Sequence, residues 1–112
     1  MKRVIIESPY AGDVKRNVKY AKACLYDSLA RGEAPIASHL LYTQVLNDKK
    51  PGERKKGIEA GLEWLEVADL HVFYIDLGYS PGMLEAFKIS KALGRQVEER
   101  SIIYEGKKSN DV

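Results

Sequence analysis

The sequence predicts a three-layer α/β sandwich: a parallel sheet of about four strands, with three main helices packed on its two faces. Three observations carry this. Val4-Ile5-Ile6 and Leu70-His71-Val72-Phe73-Tyr74-Ile75 are short, nearly continuous apolar runs, the pattern of strands covered on both faces. Segments of helical periodicity alternate with them, as in βαβ units with right-handed crossovers. Breaking and capping residues punctuate the alternation at Pro9 and Gly12, Gly32, Pro51-Gly52, Ser80-Pro81 and Gly94.

The first strand is expected at Arg3 to Glu7. Asp13 then caps a helix through about Arg31, in which Val14, Val18, Ala21, Leu25 and Leu29 recur at helical spacing and face the core, with Lys15, Arg16, Lys19 and Lys22 outside. Ala34 to Ser38 reads as a short second strand. Its Pro35 lacks an N–H to donate, which assigns it to a sheet edge. The stretch from His39 to Lys50 reads as a long loop, mobile or ligand-binding. A second helix from about Gly52 to Ala68 buries Ile58, Leu62 and Leu65, and Ala60 and Trp64 widen its apolar face. The third strand, Leu70 to Asp76, is the most hydrophobic and belongs at the centre. A third helix starts at Ser80 with Pro81 in its first turn and turns Met83, Phe87 and Leu93 to the sheet. Gln96 to Arg100 is a fourth strand whose Glu98, Glu99 and Arg100 suit an exposed edge.

These elements are satisfied by the strand order 2-1-3-4, a doubly wound sheet of the Rossmann or flavodoxin type with its switch point between the first and third strands. One domain is expected over residues 1–103, followed by a polar, flexible tail over 104–112. With 45% apolar and 30% charged residues of both signs interspersed, the chain has the composition of a folded globule. A formal charge of +2 is too small to argue for nucleic-acid binding, and Lys49-Lys50 with Arg54-Lys55-Lys56 reads as a solvated loop and helix start. The only cysteine is Cys24, which rules out an internal disulfide and fits a reducing, cytoplasmic setting. No apolar run approaches the roughly 20 residues of a membrane span. No cofactor is called for, because both GxGxxG and GxxxxGK are absent, and one cysteine with two separated histidines makes no metal site.

In a parallel sheet the segments after strands 1, 2 and 3 meet at the carboxyl edge. They bring Ser8, Pro9, Tyr10 and Gly12; then Ser38, His39 and Tyr42; then Asp76, Tyr79, Ser80, Gly82 and Met83. Tyrosine offers a flat apolar face with a polar tip, suited to stacking on a nucleobase and hydrogen bonding a sugar. Gly82 lets a ligand approach the N–H groups of Gly82 and Met83 at the helix start, although Ser80 there is equally a simple N-cap. His39 can serve as base or donor or be satisfied by backbone. His71 is read as structural, and Asp76 is the central carboxylate of the rim. Glu85, one turn into the third helix, either faces the cleft or complements the helix dipole.

Val4-Ile5-Ile6-Glu7-Ser8-Pro9-Tyr10, Pro35 to Leu40, the Gly57 to Trp64 helix leading to Ala68-Asp69, and Ser80-Pro81-Gly82-Met83 with Gly94-Arg95-Gln96-Val97 together resemble the nucleoside 2-deoxyribosyltransferase-like superfamily. The likeness is to its small bacterial and phage-borne members of unassigned function. It implies a nucleoside- or nucleotide-like ligand and a homo-oligomer, since in the transferases neighbouring copies complete the site. It also implies an N-glycosidic reaction through a glutamate at a GTxxE-like helix start. Here the sequence departs: Ala86 stands four residues beyond Gly82, and the nearest acid, Glu85, is one position early, about 100° of helix rotation away. Binding is therefore expected before turnover. If the cleft is catalytic, Glu85 or Asp76 is its acidic group. The alternative is a non-catalytic protein-interaction or phage/host accessory module that docks through the face bearing Trp64.

Overall fold

The computed structural model describes residues 1–102. The tail expected over 104–112 lies outside the described residues. Strands β1 (Arg3–Glu7), β2 (Ala34–Ile36), β3 (Leu70–Tyr74) and β4 (Val97–Arg100) form one all-parallel sheet in the order β2-β1-β3-β4. Pro35 thus sits on the β2 edge, as its missing N–H requires. In register, Ile5 lies beside His71 and Glu7 beside Phe73. Because side chains alternate along a strand, Val4, Ile6, Leu70, Val72 and Tyr74 share one face, where they cluster with Tyr20 and Cys24 of helix α1 (Val14–Ala30). Ile5, Glu7, His71 and Phe73 occupy the other face, where Phe73 packs on Met83 and Ala86 of helix α4 (Pro81–Ala92).

Helix α1 has the expected bounds and cap, but a different inward face. Asn17, Tyr20, Ala21, Cys24 and Ser28 are buried, while Val14 and Leu29 are exposed. Three polar side chains on that face each meet a partner. The Asn17 amide donates to the Tyr10 and Ala11 carbonyls at 2.9 and 3.0 Å, Tyr20 donates to Asp76 at 2.5 Å, and Ser28 donates to Glu33 at 2.7 Å. These bonds set the rotation of the helix against its apolar stripe, since a buried polar group without a partner is costly.

The expected loop from His39 to Lys50 is partly helical: α2 (Ser38–Leu41) runs into a 3-10 turn, Tyr42–Gln44. Thr43 donates to the His39 carbonyl at 2.7 Å and the Asn47 N–H donates to Glu53 at 2.7 Å, so local side-chain bonds replace those of a longer helix. Helix α3 (Pro51–Glu63) ends in a 3-10 turn, Trp64–Glu66. Of its expected core residues, Leu65 is buried, Leu62 is half-buried, and Ile58 and Trp64 remain exposed. The reason is that α3 packs on α2. Its Gly61 comes so near that a Cβ would lie 2.7 Å from Ser38 Oγ.

Helix α4 begins as expected, with Ser80 Oγ accepting from Met83 N at 3.2 Å, but Leu93 at its end is exposed. Arg100 departs from the solvated edge foreseen for β4. It is buried, and its guanidinium donates through Nη1 and Nη2 to the two oxygens of Glu33, each at 2.8 Å. Nη1 also donates to Tyr74 Oη at 3.3 Å, and Nε reaches Glu98. The Tyr74 hydroxyl continues to Asp27 at 2.7 Å. The Arg100 guanidinium, helped by the Ser28 hydroxyl, outweighs burial and holds the Glu33 carboxyl at about 2.

Arg100→Met, which leaves Glu33 without its cation, lowers the unfolding free energy by about 3 kcal/mol in urea at neutral pH. The contribution of Glu33 is fully present above its ordinary carboxyl range and fades as pH falls toward about 2. In Glu33→Gln the acid-side loss of stability is correspondingly shallower, which urea melts at pH 7 and pH 3 measure. Gly61→Ala gains helix propensity but crowds Ser38, for a net loss of about 1 kcal/mol in the same melts.

Candidate functional site

Three connections build the carboxyl edge of the sheet. After β1, Ser8 and Pro9 are buried and Gly12 turns the chain at φ +97°, while the Asn17 amide holds the Tyr10 and Ala11 carbonyls. After β2, the chain enters α2 within two residues, which carries Ser38 and His39 to the edge. After β3, Gly78 turns at φ +81° and Ser80 starts α4.

Between them lies a cleft of about 210 Å³. Glu7 and Ser8 border it at the end of β1, and Tyr10 and Ala11 at the following loop. Ser38, His39 and Tyr42 come from the α2 side, Arg54, Gly57, Ile58, Gly61 and Leu62 from α3, and Ser80 to Met83 with Ala86 from the start of α4. The glycines at 57 and 61 let α3 come close to Ser38, Tyr42 and Leu46 on the α2 side of the cleft.

Ser8, nearly fully buried, lies 2.6 Å through Oγ from His39 Nε2. Burial pushes the His39 pKa below its ordinary value, against the opposing charge of Glu7, so the imidazole is neutral at pH 7. Its Nδ1 is enclosed with no hydrogen-bond partner among the described residues. Glu7 Oε2 lies 2.9 Å from Nε2 of His71, whose side chain is 1% exposed against 17% for Glu7. At the start of α4, Nη2 of Arg54 lies 3.4 Å from where a Gly82 Cβ would be, and Arg54 Nε faces Asp48 at 3.8 Å. The Tyr42 hydroxyl accepts from Trp64 Nε1 at 2.9 Å.

Of the residues the sequence nominated, Ser8, Tyr10, Ser38, His39, Tyr42, Ser80, Gly82 and Met83 are brought together around this cleft. Pro9, Gly12, Asp76, Tyr79 and Glu85 are not among its lining residues. Tyr79 stacks on Phe73 with ring centroids 5.8 Å apart and donates its hydroxyl to Glu99; burial, then that bond, push its pKa up to about 12. Asp76 joins α1 to the segment after β4, accepting from Tyr20, from the Ser101 hydroxyl and from Ile102 N at 3.0 Å. Glu85 is exposed, and its neighbour Ala86 is the buried residue on the cleft side.

Sequence reasoning passed over Glu7, Arg54 and the α3 glycines. The alternation Ile5, Glu7 along β1 carried a signal for Glu7. Nothing in the run Arg54-Lys55-Lys56 separates the arginine that leans over Gly82 from the two exposed lysines beside it. Among the described residues no group of three or more His, Cys, Asp or Glu could hold a metal ion, and no helix is long and apolar enough to cross a membrane.

A family model described as a domain of unknown function (DUF7768) matches residues 2–100. No curated protein matches the chain in sequence. In structure the chain is similar to a 2-deoxyribosyltransferase from the psychrotolerant bacterium Bacillus psychrosaccharolyticus, with a TM-score of 0.63 and 20% identity, over 88% of this chain and 72% of the other. The two share a fold.

Because His39 is held neutral, protonating it opposes folding. Stability is full above its unfolded pKa, near 6.5, and declines as pH falls below that value. Thermal melts from pH 7.5 to 5 show this decline in the native chain and a flatter profile in His39→Gln.

Proposed function

The chain belongs to the DUF7768 family, and we propose that it binds a nucleoside, nucleotide or nucleotide-derived small molecule in the cleft at the carboxyl edge of its sheet. The observation that carries this reading is the convergence of Tyr10 and Tyr42, the Ser8–His39 pair and the first turn of α4 on one cleft. The tyrosine rings supply stacking area for a base, and the pair supplies polar orientation. Arg54 beside Gly82 supports an anionic group, such as a phosphate, at the start of α4, where Pro81 has no N–H, Ser80 Oγ takes the Met83 N–H and the Gly82 N–H is the remaining first-turn donor. The likeness in fold to an enzyme named for 2-deoxyribosyl transfer favours the same ligand class.

Binding is favoured over turnover. An N-glycosidic reaction through Asp76 or Glu85 needs one of them at the reacting bond, and neither borders the cleft, whereas Ala86 does. The reading includes a single domain over residues 1–103 and self-association, with exposed Leu41, Val45, Trp64 and Val67 as apolar area for a second copy. Light scattering tests the latter.

Calorimetry and thermal shift with nucleosides, nucleotides and NAD-derived compounds test the central reading. At least one compound is expected to bind more tightly than millimolar, about tenfold more weakly to Tyr10→Ala, and within about twofold unchanged to Glu85→Ala. A uniform absence of binding better than millimolar overturns it, and release of free base that Glu85→Ala or Asp76→Ala abolishes would establish turnover instead.

A further inference from the structure

Glu7 is the acidic side chain at the end of β1, an inner strand, and the stacking and anion contacts above leave it unused. It borders the cleft on the same sheet face as His71. Its Oε2 is bound to His71 Nε2 at 2.9 Å, and His71 is buried in β3 with its ring 4.5 Å from that of Phe73. The carboxylate is therefore held in place from behind. Oε1 has no hydrogen bond among the described residues and is not a sealed polar atom, so it is the accessible oxygen of a side chain that borders the cleft. A carboxylate only accepts hydrogen bonds, which makes this end hostile to a phosphate and receptive to ligand O–H groups. Ser8 alongside is bonded to neutral His39, whose other ring nitrogen is enclosed, so the pair places no second charge beside the carboxylate. Arg54, against Gly82 and facing Asp48, is a cation that borders the cleft at the start of α4.

We propose that Glu7 is a sugar-binding carboxylate that accepts from the vicinal hydroxyls of a ribose, with His71 as its positioning residue, so that the cleft selects ribosyl over 2-deoxyribosyl ligands. This rests on the cleft being a nucleoside site. Loss of the 2′-hydroxyl removes a hydrogen bond to a charged group and leaves part of the carboxylate unpaired, an effect of about tenfold in affinity.

The test is calorimetry on the full chain with adenosine, guanosine, cytidine and uridine, each against its 2′-deoxy counterpart, with free D-ribose as a further arm. At least one ribonucleoside is expected to bind about tenfold more tightly than its deoxy form. Glu7→Gln should bring that ratio below about threefold by weakening the ribonucleoside alone. His71→Gln, which can still donate, should keep more of the ratio than His71→Leu, a distinction that a merely structural role for His71 would not produce. Binding of D-ribose with the same dependence on Glu7 supports the sugar contact directly. Equal affinities for the two series, or tighter deoxy binding, overturn the ribose reading and leave nucleoside binding standing. A ratio that survives Glu7→Gln in a folded variant overturns the role of Glu7. If no nucleoside or nucleotide binds, the proposed function falls and this proposal falls with it.

Discussion

Asn17, Tyr20 and Ser28 lie on the buried face of α1, and the need of each for a hydrogen-bond partner organises much of the molecule. Asn17 answers it with the carbonyls of the β1–α1 loop, which holds Tyr10 at the cleft. Tyr20 answers it with Asp76 and with the Asp76 N–H, tying the helix to the end of β3. Ser28 answers it with Glu33, and Glu33 carries the tie onward to Arg100 on the far edge strand. One helix thereby spans the sheet through polar contacts while Ala21 and Cys24 fill the spaces between them. Burial pushes the Cys24 thiol up to about 12, so it packs as a neutral group.

On the opposite face the arrangement is looser and more open. Helix α3 rests on α2, and its Gly57 and Gly61 allow that close approach, facing Tyr42, Leu46 and Ser38. The cleft that results has a carboxylate backed by a buried histidine at the strand end, a desolvated serine–histidine pair beside it, and an arginine at the start of α4. Polar groups held this way are oriented in advance, which fits the binding role proposed for the cleft.

The fold was legible where a local signal and the global arrangement agreed. Two continuous apolar runs marked the inner strands, Pro35 marked an edge, and Asp13, Gly32 and Ser80-Pro81 marked helix ends close to where they occur. Legibility failed where a polar residue outcompeted an apolar one for the interior. Val14 and Leu29 match a helical stripe better than Asn17 and Ser28 do, yet they are the exposed ones, because periodicity counts apolar side chains and is blind to hydrogen bonds made over long separations. Arg100 misled for the same reason, its partner Glu33 being 67 positions away. Around the cleft, the positions of Ser8, Tyr10, His39, Tyr42 and Gly82 were readable because they lie in the connections that follow strands. Asp76 and Tyr79 have the same sequence credentials and instead engage other partners, Asp76 the Tyr20 hydroxyl and Tyr79 the Phe73 ring.

The amino-acid sequence by itself determined the alternation of strands and helices, the parallel sheet and its order, and the edge at which the connections converge, because these follow from local propensity, capping and the handedness of crossovers. Only the tertiary structure decided which face of α1 turns inward, that the segment after β2 coils into α2 instead of looping, and that Ala86, not Glu85, meets the cleft. It alone brought Glu7 to His71 and Arg54 to Gly82. Each of these outcomes depends on a partner distant in sequence, or on helix rotation finer than a periodic pattern specifies.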